Sequence, residues 1–306
     1  MAEVSLTEAP RVPAPLRGPA LAILIAILAV ATPASARAQD DAAARELAAR
    51  HAPVVVVRDQ DGPCDKDGEP YRPVPVETVL DAQGVSLRDE TGAVVKGAPG
   101  MADIVGLGSG TSLDFNGNPR RPGCTFEQDF DRLGAGRPDV AYAHVATDPS
   151  APGRMALQYW LFWYFDDYVN THEGDWEFVQ LVWDVPTAQE ALRTAPVEAG
   201  YSQHSGGERA DWDGGKLERR GDHPVVYAAA GSHANFYTPD LFLGRRADEG
   251  FGCDDARPPG TALATEARLL PSGAVDPEGP DAWLLFEGRW GEFQPTPYDA
   301  PPECCE

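Results

Sequence analysis

The sequence predicts a mainly β protein, an antiparallel β-sandwich with long loops and few short helices. Many short apolar segments are separated by glycine and proline, which number 31 and 29 among 306 residues, and this punctuation is typical of short strands joined by turns. Long helical periodicity is nearly absent, and 42% of the residues are hydrophobic, enough to form a buried core. We expect one β-sandwich domain over residues 39–306, with its motif-bearing core at residues 139–295.

The first 38 residues have the organisation of a secretory signal peptide. Arg11 and Arg17 precede an apolar run at residues 20–31, and the small residues that follow, Ala34-Ser-Ala36 or Ala36-Arg-Ala38, fit a cleavage site. The run is shorter than the roughly 20 residues that cross a bilayer. We therefore predict that residues 1–38 are a signal peptide, that the protein is secreted or periplasmic, and that no transmembrane span remains after cleavage.

The strong negative charge of the chain limits its partners. The formal net charge is −23 at pH 7, and such a surface repels nucleic acid and anionic lipid headgroups unless cations intervene. The same charge draws divalent cations into any concave cluster of carboxylates. We expect no nucleic-acid partner, although solubility alone would also account for the charge.

The five cysteines are Cys64, Cys124, Cys253, Cys304 and Cys305. Disulfides form and persist in exported proteins, so two bridges and one remaining thiol are expected. We predict a bridge between Cys64 and Cys124 and a second between Cys253 and one cysteine of the terminal pair. No two cysteines have CxxC spacing, which argues against a zinc or thioredoxin-like site.

The first half of the chain alternates between short apolar segments and polar loops. Residues 40–52 are rich in alanine, arginine and glutamate and predict a short amphipathic helix. Four valines and an arginine at residues 54–58 predict a buried strand, a loop follows at residues 59–71, and residues 74–80 are apolar again. Residues 84–123 are rich in Gly, Asn and Ser and predict at most short hairpins, with Asn116-Gly117 as a two-residue turn.

The second half contains the longest apolar runs. The strands predicted there lie at residues 139–147, 155–165, 176–183, 197–202 and 223–230, and a further apolar, aromatic segment lies at residues 282–290. Thr187, with Glu190 three residues later, predicts a capped short helix. Residues 166–175, 203–215 and 242–260 are polar and predict loops.

The acidic segment between the strands at residues 155–165 and 176–183 is the candidate functional site. Side chains alternate across a strand, so Asp175 and Glu177 share one face while Trp176 and Phe178 share the other. His172 precedes Asp175 by three residues, close enough to fold back over these carboxylates. Carboxylates held close together repel unless a proton or cation lies between them.

This arrangement predicts a metal site that also draws on the end of the preceding strand. The candidate ligands are Asp166, Asp167, His172, Asp175 and Glu177. Oxygen ligands with one imidazole favour a divalent cation such as Mg²⁺, Ca²⁺ or Mn²⁺. The alternative, left open by the sequence, is a solvated acidic loop that binds nothing.

Three further residues are candidates for ligand binding beside the metal. His233 and Ser232 follow the strand at residues 223–230, and His204 lies in the loop that begins at residue 203. Adjacent residues on a strand point apart, so Ser232 and His233 do not form part of a catalytic triad. A zincin motif is excluded as well, because Trp176 stands where the second histidine would be required.

Several short motifs carry a resemblance to known families. They are His51-Ala-Pro, Gly68-Glu-Pro-Tyr-Arg-Pro, His172-Glu-Gly-Asp-Trp-Glu177, His223-Pro-Val-Val-Tyr, Gly231-Ser-His-Ala and Gly288-Arg-Trp-Gly291. Together they resemble the vacuolar protein sorting-associated protein 62 family over about residues 50–295. Residues 171–177 are also similar to the motif Gly-His-Arg-His-Asp-Trp-Glu of the necrosis-inducing protein family, secreted toxins with a central β-sandwich.

The second resemblance implies a divalent ion near His172, Asp175 and Glu177, with Asp166 or Asp167 completing the set. In the toxins the ion lies in a surface pocket that recognises sugar headgroups of membrane sphingolipids. This chain departs from their motif at residues 171, 173 and 174, where it lacks one histidine and the arginine. The spacing of the implied ligands is retained.

We therefore predict a secreted, divalent-cation-binding β-sandwich protein that recognises a polar headgroup or glycan through the bound metal. The alternative is a metal-dependent hydrolase of an ester or phosphodiester, in which His204 or His233 would stabilise developing charge. In a third interpretation, the ion only stiffens the sandwich. No nucleophile motif distinguishes these hypotheses, so whether the protein is an enzyme stays open.

Overall fold

Strands form most of the regular structure of the protein. A computed structural model describes residues 34–65, 67–168, 170–246 and 250–292. Within these ranges the helices are short apart from the first: α1 (Ala34–Arg50), α2 (Met101–Ile104), α3 (Thr125–Leu133), α4 (Ala188–Ala191) and the 3-10 helices Val76–Thr78 and Ala282–Leu285. The prediction of a mainly β protein with few short helices is confirmed.

The largest sheet has six strands. They are β5 (Val140–Ala146), β6 (Met155–Asp166), β7 (His172–Trp183), β8 (Glu198–Gln203), β9 (Gly206–Asp211) and β16 (Glu266–Leu269). Their order across the sheet is β16-β5-β6-β7-β8-β9, so five strands that follow one another in the chain are also neighbours. Those five pair antiparallel, whereas β16 joins β5 in parallel.

A second sheet brings the start of the chain beside its later strands. Its members are β1 (Val54–Arg58), β10 (Arg219–Arg220), β11 (His223–Ala228), β12 (Asn235–Phe236) and β15 (Gly260–Ala264). The strand β1 lies between β11, with which it is parallel, and β15, with which it is antiparallel. Both large sheets are therefore mixed rather than wholly antiparallel, and the sandwich arrangement stays a prediction.

Two small sheets complete the described strands. One contains β2 (Ser86–Arg88), β3 (Val94–Gly97) and β4 (Ser112–Asp114), and the other pairs β13 (Leu241–Arg246) with β14 (Gly250–Asp255). The strands β9, β13 and β14 lie in segments predicted as loops, so those two predictions were wrong. The Gly-Gly-Glu-Arg-Ala-Asp sequence of β9 has no apolar alternation, and backbone pairing with β8 determines its conformation.

Residues 161–166 of β6 are buried on both faces of the hairpin, as the aromatic run predicts, whereas farther from the turn one face is only partly buried. On one face Leu161 and Trp163 are completely enclosed. On the other face Trp176 packs with Phe162 and with the stacked ring of Trp283 from the C-terminal part of the chain. The hairpin therefore joins two parts of the core. Packing on both faces fixes the position of the residues at its open end.

The N-terminal helix overlaps the predicted one but begins six residues earlier, and one of the two predicted disulfides is present among the described residues. The helix α1 ends at Arg50, close to the predicted end, and begins at Ala34; residues 1–33 of the predicted signal peptide lie outside the described residues. Cys64 and Cys124 form the predicted disulfide. The bridge predicted from Cys253 to Cys304 or Cys305 involves residues that lie outside the described ranges. None of the described helices is long and apolar enough to cross a membrane.

Candidate metal site

The candidate site lies at the open end of the β6–β7 hairpin. Asp166, the last residue of β6, lies directly opposite His172, the first residue of β7. Three positions further in, Trp163 lies opposite Asp175. Residues 172–175, predicted as loop, thus belong to the strand, because backbone pairing with β6 continues to the end of the ladder.

Gly174 changes the direction of the strand between His172 and Asp175. Its φ of +61° lies in the left-handed region, which a residue with a Cβ adopts only at a cost. A Cβ at this position would also overlap the backbone carbonyl of Trp290. The glycine therefore permits both the turn of the strand and the close approach of the C-terminal segment.

Asp166, His172 and Asp175 converge on one point. One ligand atom from each lies within 4.8 Å of the others. The Nε2 atom of His172 lies 3.4 Å from Oδ1 of Asp175, and its Nδ1 atom lies 3.9 Å from Oδ2 of Asp166. Asp166 is buried, whereas the imidazole of His172 is about one-third exposed, at 35%, so the group opens to solvent on the histidine side.

Each carboxylate has one oxygen held by a separate donor and the other directed at His172. The backbone N–H of Tyr168 donates to Oδ1 of Asp166 over 2.9 Å. The imidazole of His233 lies 2.9 Å from Oδ2 of Asp175 through its Nδ1 atom. The donors fix the orientation of the carboxylates, as is common for residues that bind metals.

The charges of this group are strongly coupled. Burial lowers the pKa of His172, but the charge of Asp166 and the hydrogen bond to Asp175 outweigh it and raise that pKa to about 9. Burial raises the pKa of Asp166 to about 6. For Asp175, burial acts in the same direction, but hydrogen bonds from His172 and His233 outweigh it and hold the pKa well below the usual range.

Two of the five predicted metal ligands lie outside this group. Glu177 is buried and accepts a hydrogen bond from the hydroxyl of Ser202, and burial together with the charge of Asp175 raises its pKa to about 8. Asp167 contacts the loop after β11 through its backbone, where its N–H donates to the carbonyl of Gly231 over 3.1 Å. The sequence alternation placed Glu177 beside Asp175 but could not reveal the serine that engages it.

His204 and Ser232 meet at a carboxylate that the sequence did not single out. Asp254, on β14, is buried and lies 3.0 Å from Nε2 of His204 through Oδ2. Its Oδ1 atom accepts a hydrogen bond from the Ser232 hydroxyl over 2.5 Å. The ring of Tyr168 stacks on His204. The serine hydroxyl and the imidazole are thus each engaged by the same carboxylate, which is not the serine–histidine pairing that activates a nucleophile.

His233 is enclosed by the protein. Its exposed fraction is 0%, and its ring stacks on Trp163 with the centroids 4.2 Å apart and the planes 7° apart. Besides Asp175, a second carboxylate lies near the imidazole: Oε2 of Glu69 is 3.5 Å from Nε2 of His233. No local pattern distinguishes Glu69 from the other loop carboxylates, so only the folded chain identifies it.

The three converging residues fit a divalent cation. Two carboxylate oxygens and one imidazole nitrogen form a donor set suited to Mn²⁺, Mg²⁺ or Ca²⁺. A protonated His172 would also satisfy both carboxylates, so a cation would compete with a proton for this place. Cys64, Cys124 and Glu127 also lie close together, but the sulfur atoms are joined in a disulfide and are not thiolate ligands.

Comparison with known proteins gives only distant similarities. No family model matches the sequence, and no curated protein matches it. The resemblance to the vacuolar protein sorting-associated protein 62 family is therefore not shown and stays a prediction. The solved structures that are similar to this chain are of proteins of the necrosis and ethylene inducing type, at low identity.

Three of these structures show the extent of the similarity. NLPPya in complex with glucosamine has a TM-score of 0.26 and 22% identity, covering 32% of this chain and 43% of that chain. NLPPya in complex with mannosamine has a TM-score of 0.33 and 19% identity, over 63% and 66%. The non-toxic HaNLP3 protein has a TM-score of 0.33 and 13% identity, over 74% of each chain. The match covers less than half of the NLPPya chain in the glucosamine complex. Similarity at this level assigns no function to the present chain.

Proposed function

We propose that this protein binds a divalent cation through Asp166, His172 and Asp175 and uses the cation to recognise a polar headgroup or glycan. The observation that carries the proposal is the convergence of three ligand atoms within 4.8 Å, each belonging to a side chain whose other polar atom has its own partner. The motif resemblance at residues 171–177 supports His172 and Asp175 as ligands and implies Glu177 and either Asp166 or Asp167 as further ones. A bound cation would supply positive charge that attracts hydroxyl, carboxylate or phosphate oxygens.

The cation is central because the rest of the molecule is negative. With a net charge of −23, the protein repels anionic groups, and a bound cation would offset this repulsion locally. The partly exposed imidazole of His172 marks the side from which a ligand would approach. Asp167 and Glu177 would lie beside the ion, and His204 and Ser232, both joined to Asp254, would lie at its border.

The hydrolase alternative has less support than binding. His233 is fully buried behind Asp175, so it would not reach a substrate to stabilise developing charge. His204 is held by Asp254, and Ser232 donates to the same carboxylate. We therefore propose recognition as the function and a secreted or periplasmic location, as the N-terminal sequence predicts.

Calorimetry with Mn²⁺, Mg²⁺ and Ca²⁺ tests the cation. We expect one site per chain, and we expect Asp175→Asn and His172→Gln each to weaken binding by about 100-fold or more, since each removes one of three ligands. Asp213→Asn is the control, because this carboxylate is exposed and pairs with Arg219 at the surface. Absence of binding by the unmodified protein would contradict the proposal.

Cosedimentation with vesicles tests the ligand. Phosphatidylcholine vesicles with and without glucosylceramide are compared in the presence of the bound cation and of excess chelator. We expect binding only to the glycolipid vesicles and only with the cation. Binding that persists in chelator, or that is unchanged in Asp175→Asn, would show that the metal does not mediate recognition.

A further inference from the structure

Two buried polar side chains, Glu69 and His233, lie in succession behind the candidate metal ligand Asp175. Glu69 lies 3.5 Å from Nε2 of His233, and Nδ1 of His233 lies 2.9 Å from Oδ2 of Asp175. The side chains of Glu69 and His233 are both 0% exposed. Burying a carboxylate and an imidazole is costly unless opposite charges lie nearby; here the two groups lie within ion-pair distance, while Nε2 of His233 makes no hydrogen bond to the described residues.

Glu69 is itself fixed by the backbone on two sides. Its Oε1 atom accepts a hydrogen bond from the N–H of Tyr71 over 2.8 Å, and its Oε2 atom accepts one from the N–H of Gly231 over 2.7 Å. The second bond connects residues 162 positions apart in the chain. Glu69 therefore links the loop after β1 to the loop that carries His233.

The position of His233 is constrained as closely as its partners are. Its ring lies parallel to Trp163, the residue opposite Asp175 in the hairpin. Its backbone has φ +54°, in the left-handed region, and its N–H donates to the carbonyl of Ala229 over 3.0 Å. A non-glycine residue in this conformation is held there by surrounding contacts, so the ring plane and the direction of Nδ1 are both set.

We propose that Glu69 and His233 are positioning residues, which hold Asp175 so that its Oδ1 atom faces the cation. The inference rests on the proposed function of the site. His233 occupies Oδ2 of Asp175, and this leaves Oδ1 beside His172, while Glu69 acts only through His233 by fixing its ring. Residues that orient metal ligands in this way change affinity by about 10–100-fold when they are removed.

Mn²⁺ affinity measured in three variants tests the assignment. His233→Ala removes the donor and should weaken binding by about tenfold or more. His233→Asn should weaken it less, because asparagine tolerates a positive φ and its amide replaces the Nδ1 donor. His51→Ala is the matched control. His51 is also buried against tryptophan rings, but its Nδ1 atom contacts the backbone carbonyl of Asp222 rather than a candidate metal ligand.

A double-mutant cycle separates positioning from a purely structural role. Glu69→Gln should weaken Mn²⁺ binding in the unmodified protein but have no further effect in the His233→Ala background, since it acts through the imidazole. Unchanged affinity in folded His233→Ala, an equal loss in His51→Ala, or additive losses for Glu69→Gln and His233→Ala would each overturn the assignment.

A measurement without metal distinguishes failure of this inference from failure of the proposed function. The imidazole nitrogen resonances of His172 report its contact with Asp175. We expect this signature to change in His233→Ala and to persist in His51→Ala. If the unmodified protein bound no Mn²⁺ but the signature still changed only in His233→Ala, positioning would be upheld and the metal function would fall. An unchanged signature in His233→Ala would overturn the positioning role.

Discussion

Gly174 allows the candidate site to form within a strand. A regular strand would place residues 173, 175 and 177 on the same face, yet Glu173 turns away from the site and accepts hydrogen bonds from the backbone N–H groups of Phe115 and Glu292, each over 2.9 Å. The left-handed backbone of Gly174 lies between Glu173 and Asp175. One residue therefore separates a buried carboxylate that binds the C-terminal segment from one that faces His172.

We expect Gly174→Ala to lower the free energy of unfolding by about 3–4 kcal/mol, because backbone strain and overlap with Trp290 add together. Gly153→Ala is the matched control, since Gly153 has φ +87° but no atom near the added Cβ. It should cost about 1–2 kcal/mol from strain alone. Chemical denaturation of both variants measures the difference, and equal losses would show that the approach of Trp290 is unimportant.

His51 should make stability depend on pH. Burial lowers its pKa, although the bond to Asp222 acts in the opposite direction. The unfolded chain, with an ordinary pKa near 6.5, therefore takes up a proton that the folded chain resists. The stabilising effect is complete above that pH and is lost as the pH falls toward the folded pKa, with a slope of at most about 1.4 kcal/mol per pH unit.

Unfolding free energies of the unmodified protein and of His51→Asn between pH 8 and pH 5 check this expectation. The variant retains a donor for the Asp222 carbonyl but cannot titrate, so its stability should fall less steeply below pH 6.5. The comparison uses slopes, because loss of the ring contacts with Trp183 and Trp212 lowers stability at every pH. Parallel curves would contradict a role for His51.

The local sequence predicted the residues of the site better than their partners. Short-range spacing was sufficient to bring together His172 and Asp175, and the end of the preceding strand supplied Asp166. Glu177 was predicted as a ligand from alternation, but its contact with Ser202 depends on β8. Glu69, in the loop after β1, contacts His233, and Asp254, on β14, contacts His204 and Ser232. These partners are distant in the chain, and no local periodicity encodes such contacts.

At the scale of elements, the β6–β7 hairpin contributes many of the large, fully buried side chains. Leu181 is fully buried on one face of β7, whereas its neighbour Gln180 is partly exposed and receives a hydrogen bond from Gln158 on β6 over 2.9 Å. The two residues lie on the same strand, between the same two neighbouring strands, β6 and β8. They differ in the face on which their side chains lie.

We expect Leu181→Ala to lower the free energy of unfolding by about 2–5 kcal/mol, the usual cost of a cavity in a packed core. Gln180→Ala should cost at most about 1.5 kcal/mol, the typical value of one hydrogen bond. Denaturant titrations of the two variants provide the test. A similar loss at both positions would mean that the two faces of the strand are equally buried.

Elements with apolar content were predicted more accurately than elements held by backbone pairing. The strand β1 has the predicted bounds, and the Thr187 hydroxyl accepts the predicted hydrogen bond from the N–H of Glu190. By contrast, α3 was not predicted, although Phe126, Phe130 and Leu133 recur along it at helical spacing; the two phenylalanines pack on aromatic rings of β6. Pairing partners, unlike propensities, cannot be read from one segment.

At the scale of the whole molecule, the Cys64–Cys124 bridge connects residues 60 positions apart. Closing a loop of this length in the unfolded chain corresponds to about 4 kcal/mol in the chain-entropy model. We expect Cys124→Ser to lower the free energy of unfolding by about 2–4 kcal/mol. The double variant with Cys64→Ser should lose the same amount, because either change opens the bridge; unchanged stability in both would contradict the expectation.

The parallel pairing of β1 and β11 has a consequence for biosynthesis. The valines of β1 emerge from the ribosome early, yet their neighbours on either side, β11 and β15, follow more than 160 residues later. Until then an apolar, unpaired segment is accessible to other chains, a situation that favours aggregation. Chaperone engagement during synthesis would protect this segment, and chains that terminate before residue 220 would leave it permanently without neighbours.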